Sequence, residues 1–189
     1  VLARVLWCCL ATAGCSAAVI PPAAPPRPTT VYLCDYGYHS DLLLPVGNGV
    51  YVEYLYGDWA WAAMNDTGAA SAVRAGLFST RSTLGRRCAY DPAPDAVPRP
   101  VTPALRQLPI VVDGELARRL VASLDARWRS HADTAVNNGA AGAFYLYVDD
   151  DQPYGMIHNC NRLTAEWLEQ LGCRTSGVPL MSHFDVRQP

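Results

Sequence analysis

The sequence predicts a single globular domain that mixes strands with helices. Three observations carry that expectation. Between Val31 and Asp58, three runs rich in β-branched and aromatic residues follow one another, two of them joined by Gly47-Asn48-Gly49, a sound hairpin turn. Two later segments, starting at Asp113 and Asn159, place apolar residues at helical spacing behind good N-caps. The composition, half hydrophobic and 17% charged over 189 residues, is enough for one proper core and argues against disorder.

The chain opens like an export signal. VLARVLWCCLATAGC sets one positive charge, Arg4, before an apolar run and small residues. The run from Val5 to Ala13 is too short to span a bilayer. Ala13-Gly14-Cys15 resembles the end of a bacterial lipobox, with Thr12 where that motif favours Leu, and Ser16 resembles an outer-membrane sorting signal. The expectation is a signal peptide over 1–14, a lipidated Pro-rich tether over 15–29 and one domain over 30–189, with Cys15 as the lipidation site. The membrane, reached through an N-terminal lipid on the periplasmic side of the bacterial envelope, is then the first partner. Pro21 to Pro28 is a stiff, polyproline-like stretch with no regular structure expected.

Val31–Tyr36, His39–Val46 and Val50–Asp58 read as strands. By alternation Val50, Val52, Tyr54 and Tyr56 share one face of the third, and Tyr51, Glu53 and Leu55 the other. Asp58 caps a short helical turn through Met64, and Gly68 to Leu77 is a small helical run. Leu84–Tyr90 is a weak strand, and the Pro-rich Asp91–Pro103 a loop. Gln107–Val112 is a strand. Asp113 caps an amphipathic helix to about Arg129, with Leu116, Leu120, Leu124 and Trp128 as its stripe. A polar loop from His131 to Gly142 precedes the strand Ala143–Val148. Asp149-Asp150-Asp151 is expected to be a solvated turn rather than a metal site.

The most informative stretch is NCNRLTAEWLEQLG, Asn159 to Gly172. Asn159 caps a helix, Leu163, Trp167, Leu168 and Leu171 form its apolar face, and Gly172 stops it. Cys160 falls in the first turn, where the positive end of the helix dipole favours a thiolate, the nucleophilic form. A nucleophilic cysteine needs a base and a group to orient that base. His39, at the head of a strand, is the candidate base. Glu53 on the paired strand is the first choice of orienting acid, and Asp58 just past that strand's end is the reserve. His158 is a rival base, while His131 and His183 are expected at the surface.

Other chemistries find no support. Net charge is −2, which argues against a nucleic-acid partner. No GxSxG, Walker loop or HExxH is present, and no CxxC lies outside the signal, so no metal or cofactor is implied. In an oxidising compartment some of Cys34, Cys88 and Cys173 are expected to pair while Cys160 stays free.

Three blocks carry a family resemblance: GYHSDLLLP, VEYLYGD and NCNRLTAEWL. They resemble the GWHT-like, EFGWGD-like and TCNTWTA-like blocks of a bacterial domain of unknown function found in exported proteins and lipoproteins. Tyr38 stands for the usual Trp, Ser40 for the Thr, Leu55-Tyr56 for the Gly-Trp, and Asn159 for the Thr; the likeness covers about residues 30 to 175. A histidine strand, a carboxylate strand and then a helix-start cysteine also resembles the circularly permuted papain-like enzymes, the NlpC-type hydrolases and the lecithin–retinol acyltransferase group. The resemblance implies an α+β fold, a small antiparallel sheet packed against the cysteine-bearing helix, circularly permuted and papain-like. It implies a cell-envelope cysteine hydrolase or acyltransferase working through a thioester, with Cys160 as nucleophile, His39 as base and Glu53 or Asp58 as orienting acid. By location the default substrate is a peptidoglycan peptide amide, and a lipid acyl group is the second choice. The competing expectation is a non-catalytic envelope lipoprotein that binds a glycan or a partner protein.

Overall fold

The computed structural model describes residues 17–90, 98, 102–138 and 145–189. The signal peptide, the lipidation at Cys15, most of the loop over 91–103 and the end of the polar loop over 131–142 lie outside the described residues. Nine strands are described: β1 Ala17–Ile20, β2 Pro28–Asp35, β3 Ser40–Gly47, β4 Val50–Asp58, β5 Ser82–Tyr90, β6 Arg106–Asp113, β7 Leu146–Asp150, β8 Arg174–Gly177 and β9 Phe184–Val186. The α-helices are α1 Ala69–Phe78, α2 Gly114–Ser130 and α3 Cys160–Gln170. The fold is α+β.

The main sheet has six strands in the order β6-β2-β3-β4-β5-β7, every neighbouring pair antiparallel. The β3–β4 hairpin turns where expected, with Gly47, Asn48 and Gly49 all at positive φ, a conformation glycine and asparagine tolerate best. Strict alternation then sorts the side chains. Val31, Leu33, Leu42, Leu44, Val52, Tyr54 and Tyr56 point to one face, where they pack with Leu120 and Leu124 of α2 and Leu163, Trp167 and Leu168 of α3. The cysteine-bearing helix therefore packs on an antiparallel sheet. Asp113 accepts from Glu115 N at the head of α2, and Asn159 accepts from Arg162 N at the head of α3. Gly172, at φ +86°, ends the last turn after α3.

The opposite face is covered differently. Trp59–Ala63, a single π turn capped by Asp58, together with α1, lies over Leu55, Tyr145 and Tyr147. Gly85 on β5 leaves the space that the Tyr147 ring fills, since a Cβ there would stand 2.9 Å from the ring.

The segment expected as a tether departs from the sequence reading. Ala17–Ile20 is a strand, antiparallel to β8 and parallel to β9, and Ala17 and Val19 are buried in the main core. The folded unit therefore begins by residue 17 rather than 30. A four-residue run whose partners lie at the far end of the chain carries no local signal. Among the described residues of that segment, 21–27 lack regular structure.

Candidate active site

Cys160 opens α3 as its first residue, 7% exposed. Its sulfur approaches the Tyr154 hydroxyl at 3.9 Å and the Tyr38 carbonyl at 4.0 Å. Burial pushes its pKa up to about 11, with Asp41 adding to the rise and the Tyr154 hydroxyl and the helix-start amides working against it. The resting group is a thiol. The thiolate expected from the helix dipole is not the ground state, because loss of solvent outweighs the dipole.

A polar latch fixes that helix start against the loop before β3. Asn161 is buried; it donates to the carbonyls of Tyr38 (3.2 Å) and Leu180 (3.4 Å) and accepts from Ser40 Oγ (2.9 Å). Thr164 donates to the Ser40 carbonyl at 2.9 Å. Two loops, the one before β3 and the one carrying Leu180, are thereby drawn to the mouth of α3.

His39 sits just before β3, and the pleat carries it away from α3. Its ring stacks on Tyr36, centroids 4.9 Å apart, and its Nε2 lies 3.7 Å from Asp41 Oδ2. The sulfur and the imidazole thus come from opposite faces of the sheet, and no hydrogen bond joins them. They meet across one cavity of about 950 Å³ that wraps over the sheet end and is lined by both, with Tyr36, Tyr38, Asp41 and Tyr154 among its walls. The ring keeps 37% of its side-chain exposure. Partial loss of solvent and then the Arg87 charge lower its pKa, with the Asp35 charge opposing, so the neutral imidazole, able to accept a proton, is favoured at neutral pH.

Neither Glu53 nor Asp58 reaches the His39 ring. Glu53 is fully buried, but it accepts from Arg87 Nε at 2.5 Å and from Tyr36 Oη at 2.5 Å rather than from His39. Asp58 caps the π turn, accepting from Trp61 N at 2.8 Å and from Ser79 Oγ at 2.6 Å. The carboxylate beside the imidazole is Asp41. One of its oxygens accepts from Tyr145 Oη at 2.8 Å, and the other is buried without a hydrogen-bond partner among the described residues. Burial and the neighbouring Glu53 charge hold the Asp41 pKa well above the usual carboxylate range. Asp41 was missed, although the signal was present: it is two residues beyond His39, and positions two apart on a strand share a face.

The remaining histidines and the acidic run make other contacts. His158 packs edge-on to Tyr56 and does not line the cavity. His183 contacts Arg106 at 3.2 Å. The acidic run is tied up by basic partners: Arg81 on Asp149, Arg127 on Asp150 and His131 on Asp151. Cys34, Cys88, Cys160 and Cys173 are all free thiols, so the expected pairing among the other three is not found. Cys34 and Cys173 are each buried in a separate apolar cluster.

No family model matches this chain, and neither the curated proteins nor the solved structures give a match.

Proposed function

We propose that the protein is a cysteine hydrolase or acyltransferase of the cell envelope, on a circularly permuted papain-like domain of the exported family its three blocks resemble. One observation carries this reading: a helix-start cysteine and a histidine line one cavity large enough to enclose a substrate. The chain order supports the permutation, since the histidine strand precedes the cysteine helix.

In this reading a bound carbonyl bridges the two faces. His39 takes the Cys160 proton, directly or through one water, as the sulfur attacks the carbonyl carbon. The amides at the start of α3 receive the developing oxyanion. Asp41 is the orienting acid, in place of Glu53 or Asp58. A raised-pKa thiol beside a lowered-pKa imidazole makes base-assisted attack, rather than a standing ion pair, the working step. The sulfur–imidazole contact closes only with substrate, as catalytic contacts commonly tighten on binding. The N-terminal lipid at Cys15 would hold this site at the membrane, since β1 begins two residues later.

The same buried, protonated thiol is the observation favouring the second reading, a non-catalytic lipoprotein that binds a glycan or partner protein. An acyl-transferring thiol probe separates the two. With the exposed Cys88 replaced by Ser, the protein is labelled and its Cys160→Ala variant is not if the enzymatic reading holds. Equal labelling of both removes it.

A further inference from the structure

We propose that Tyr36 is the positioning residue of the base: its ring sets the plane of the His39 imidazole, and the buried Glu53–Arg87 pair acts on the base through the Tyr36 hydroxyl. This rests on the cysteine-hydrolase reading and adds to it the residue that aims the proton acceptor.

The chain itself places the two rings together. β2 ends at Asp35 and β3 begins at Ser40, and these two residues pair across the ladder. Between them Tyr36 N donates to the His39 carbonyl at 3.0 Å, closing a tight turn around Gly37 and Tyr38. Gly37 stands at φ +94°, where a side chain would be strained. Residues that flank a two-residue turn stand side by side on one face of a hairpin. The turn is braced from outside, since the Asp35 carboxylate accepts from Gly37 N at 2.8 Å, from Ser182 Oγ at 2.5 Å and from Arg106 Nη2 at 2.8 Å. The Tyr36 and His39 rings lie 4.9 Å apart between centroids and 15° from parallel, the geometry of an offset stack.

Tyr36 is fixed at its far end as well. Its hydroxyl donates to Glu53 Oε1 at 2.5 Å and accepts from Arg87 Nη2 at 3.1 Å. Glu53 and Arg87 face each other across β4 and β5, with side chains 0% and 1% exposed. A buried ion pair is a costly way to join two strands, since an apolar pair of similar volume commonly serves as well. Here the pair grips a phenol that neither strand carries, so the tilt of that ring is set from both ends.

The imidazole has no such grip of its own. Among the described residues no hydrogen bond holds it, and Asp41 Oδ2, 3.7 Å from Nε2, lies outside hydrogen-bond length. Asp41 marks one edge of the ring, and the Tyr36 face fixes its plane. Contact on the face leaves both ring nitrogens at the edge, where a proton can reach them. The same face favours the imidazolium that forms once the sulfur gives up its proton, because a π cloud attracts a cation held against it.

The test joins NMR of the His39 ring with acylation kinetics, in wild type, Tyr36→Leu and Tyr36→Phe. In wild type, cross-relaxation between the Tyr36 and His39 ring protons is expected, with the His39 signals upfield of a free imidazole at the same pH. In Tyr36→Leu those signals should move downfield. Tyr36→Phe keeps a ring but frees it from Glu53, and the signals should move part of the way. The limiting rate of Cys160 acylation by a 4-nitrophenyl ester should fall about a hundredfold in Tyr36→Leu with KM unchanged, because a misplaced base slows the chemistry without weakening binding. In a His39→Ala background the same substitution should cost no further rate. Absent cross-relaxation in wild type, which needs no variant to fold, overturns the proposal. So do unmoved His39 signals in folded Tyr36→Leu, or an equal loss of rate with and without His39. The NMR readout needs no turnover, so it separates the stack from the Cys160 labelling that tests catalysis.

Discussion

Replacing Arg87 with Leu probes the buried network beneath the histidine. Arg87 and Glu53 are 1% and 0% exposed at the side chain and 2.5 Å apart. The guanidinium also donates to Tyr36 Oη at 3.1 Å and to Thr102 Oγ1 at 3.2 Å, and it lies 4.1 Å from the Tyr145 ring centroid. Removing one partner of a buried ion pair leaves the other charge uncompensated in low dielectric, at a cost of about 3–5 kcal/mol. For a chain of this length that is a drop in Tm of roughly 6–20 °C. A second effect travels with it. The Arg87 charge helps hold the His39 pKa down, so in Arg87→Leu the imidazole should titrate closer to the ordinary value of about 6.5. Urea unfolding gives the first quantity, and NMR titration of the His39 ring gives the second. The double variant Glu53→Leu with Arg87→Leu buries no charge and should recover most of the lost stability. A single variant within about 1 kcal/mol of wild type, with an unmoved His39 titration, would refute the electrostatic account of this floor.

Two further outcomes are expected. Asn161→Leu keeps the side-chain volume but leaves the Ser40 hydroxyl and the Tyr38 carbonyl unanswered, so stability should fall by about 1–3 kcal/mol. Hydrogen exchange should then rise in residues 36–39 and 178–183, the loops that Asn161 holds; unchanged exchange there would remove its role as a latch. Because the Cys160 pKa is raised to about 11, its thiolate fraction at pH 8 is about one in a thousand. Its alkylation by iodoacetamide should therefore climb close to tenfold per pH unit from pH 7 toward 11; a plateau near pH 7 would mean a standing thiolate–imidazolium pair instead.

Much of this fold could be read locally. The β4 bounds follow from alternation and the Gly-Asn-Gly turn, β3 lies one residue later than expected at each end, and both Asp113 and Asn159 cap the helices their side chains announce. What escaped reading is what depends on distant partners. Ala17–Ile20 is a strand only because β8 and β9 arrive from the other end of the chain to flank it. Glu53 was a reasonable neighbour for His39 by strand pairing, but Arg87 on the next strand competes for it, and a guanidinium at hydrogen-bond distance binds a buried carboxylate more strongly than a neutral imidazole does. The ring instead faces Asp41, its own neighbour along the same strand face. The Asn161 latch joins positions 121 and 123 residues apart, a relation no window of sequence displays.

The central claim is that a sulfur and an imidazole from opposite faces of one sheet act on a single bound carbonyl. Its most direct test is the rate at which Cys160 is acylated by a 4-nitrophenyl ester at pH 7, read by peptide mass spectrometry, in wild type and in His39→Ala. The account predicts acyl mass on the Cys160 peptide and a loss of about 10²–10⁴ in its rate when the imidazole is removed. Acylation at the wild-type rate without His39, or acyl mass on Cys88 and none on Cys160, would contradict it.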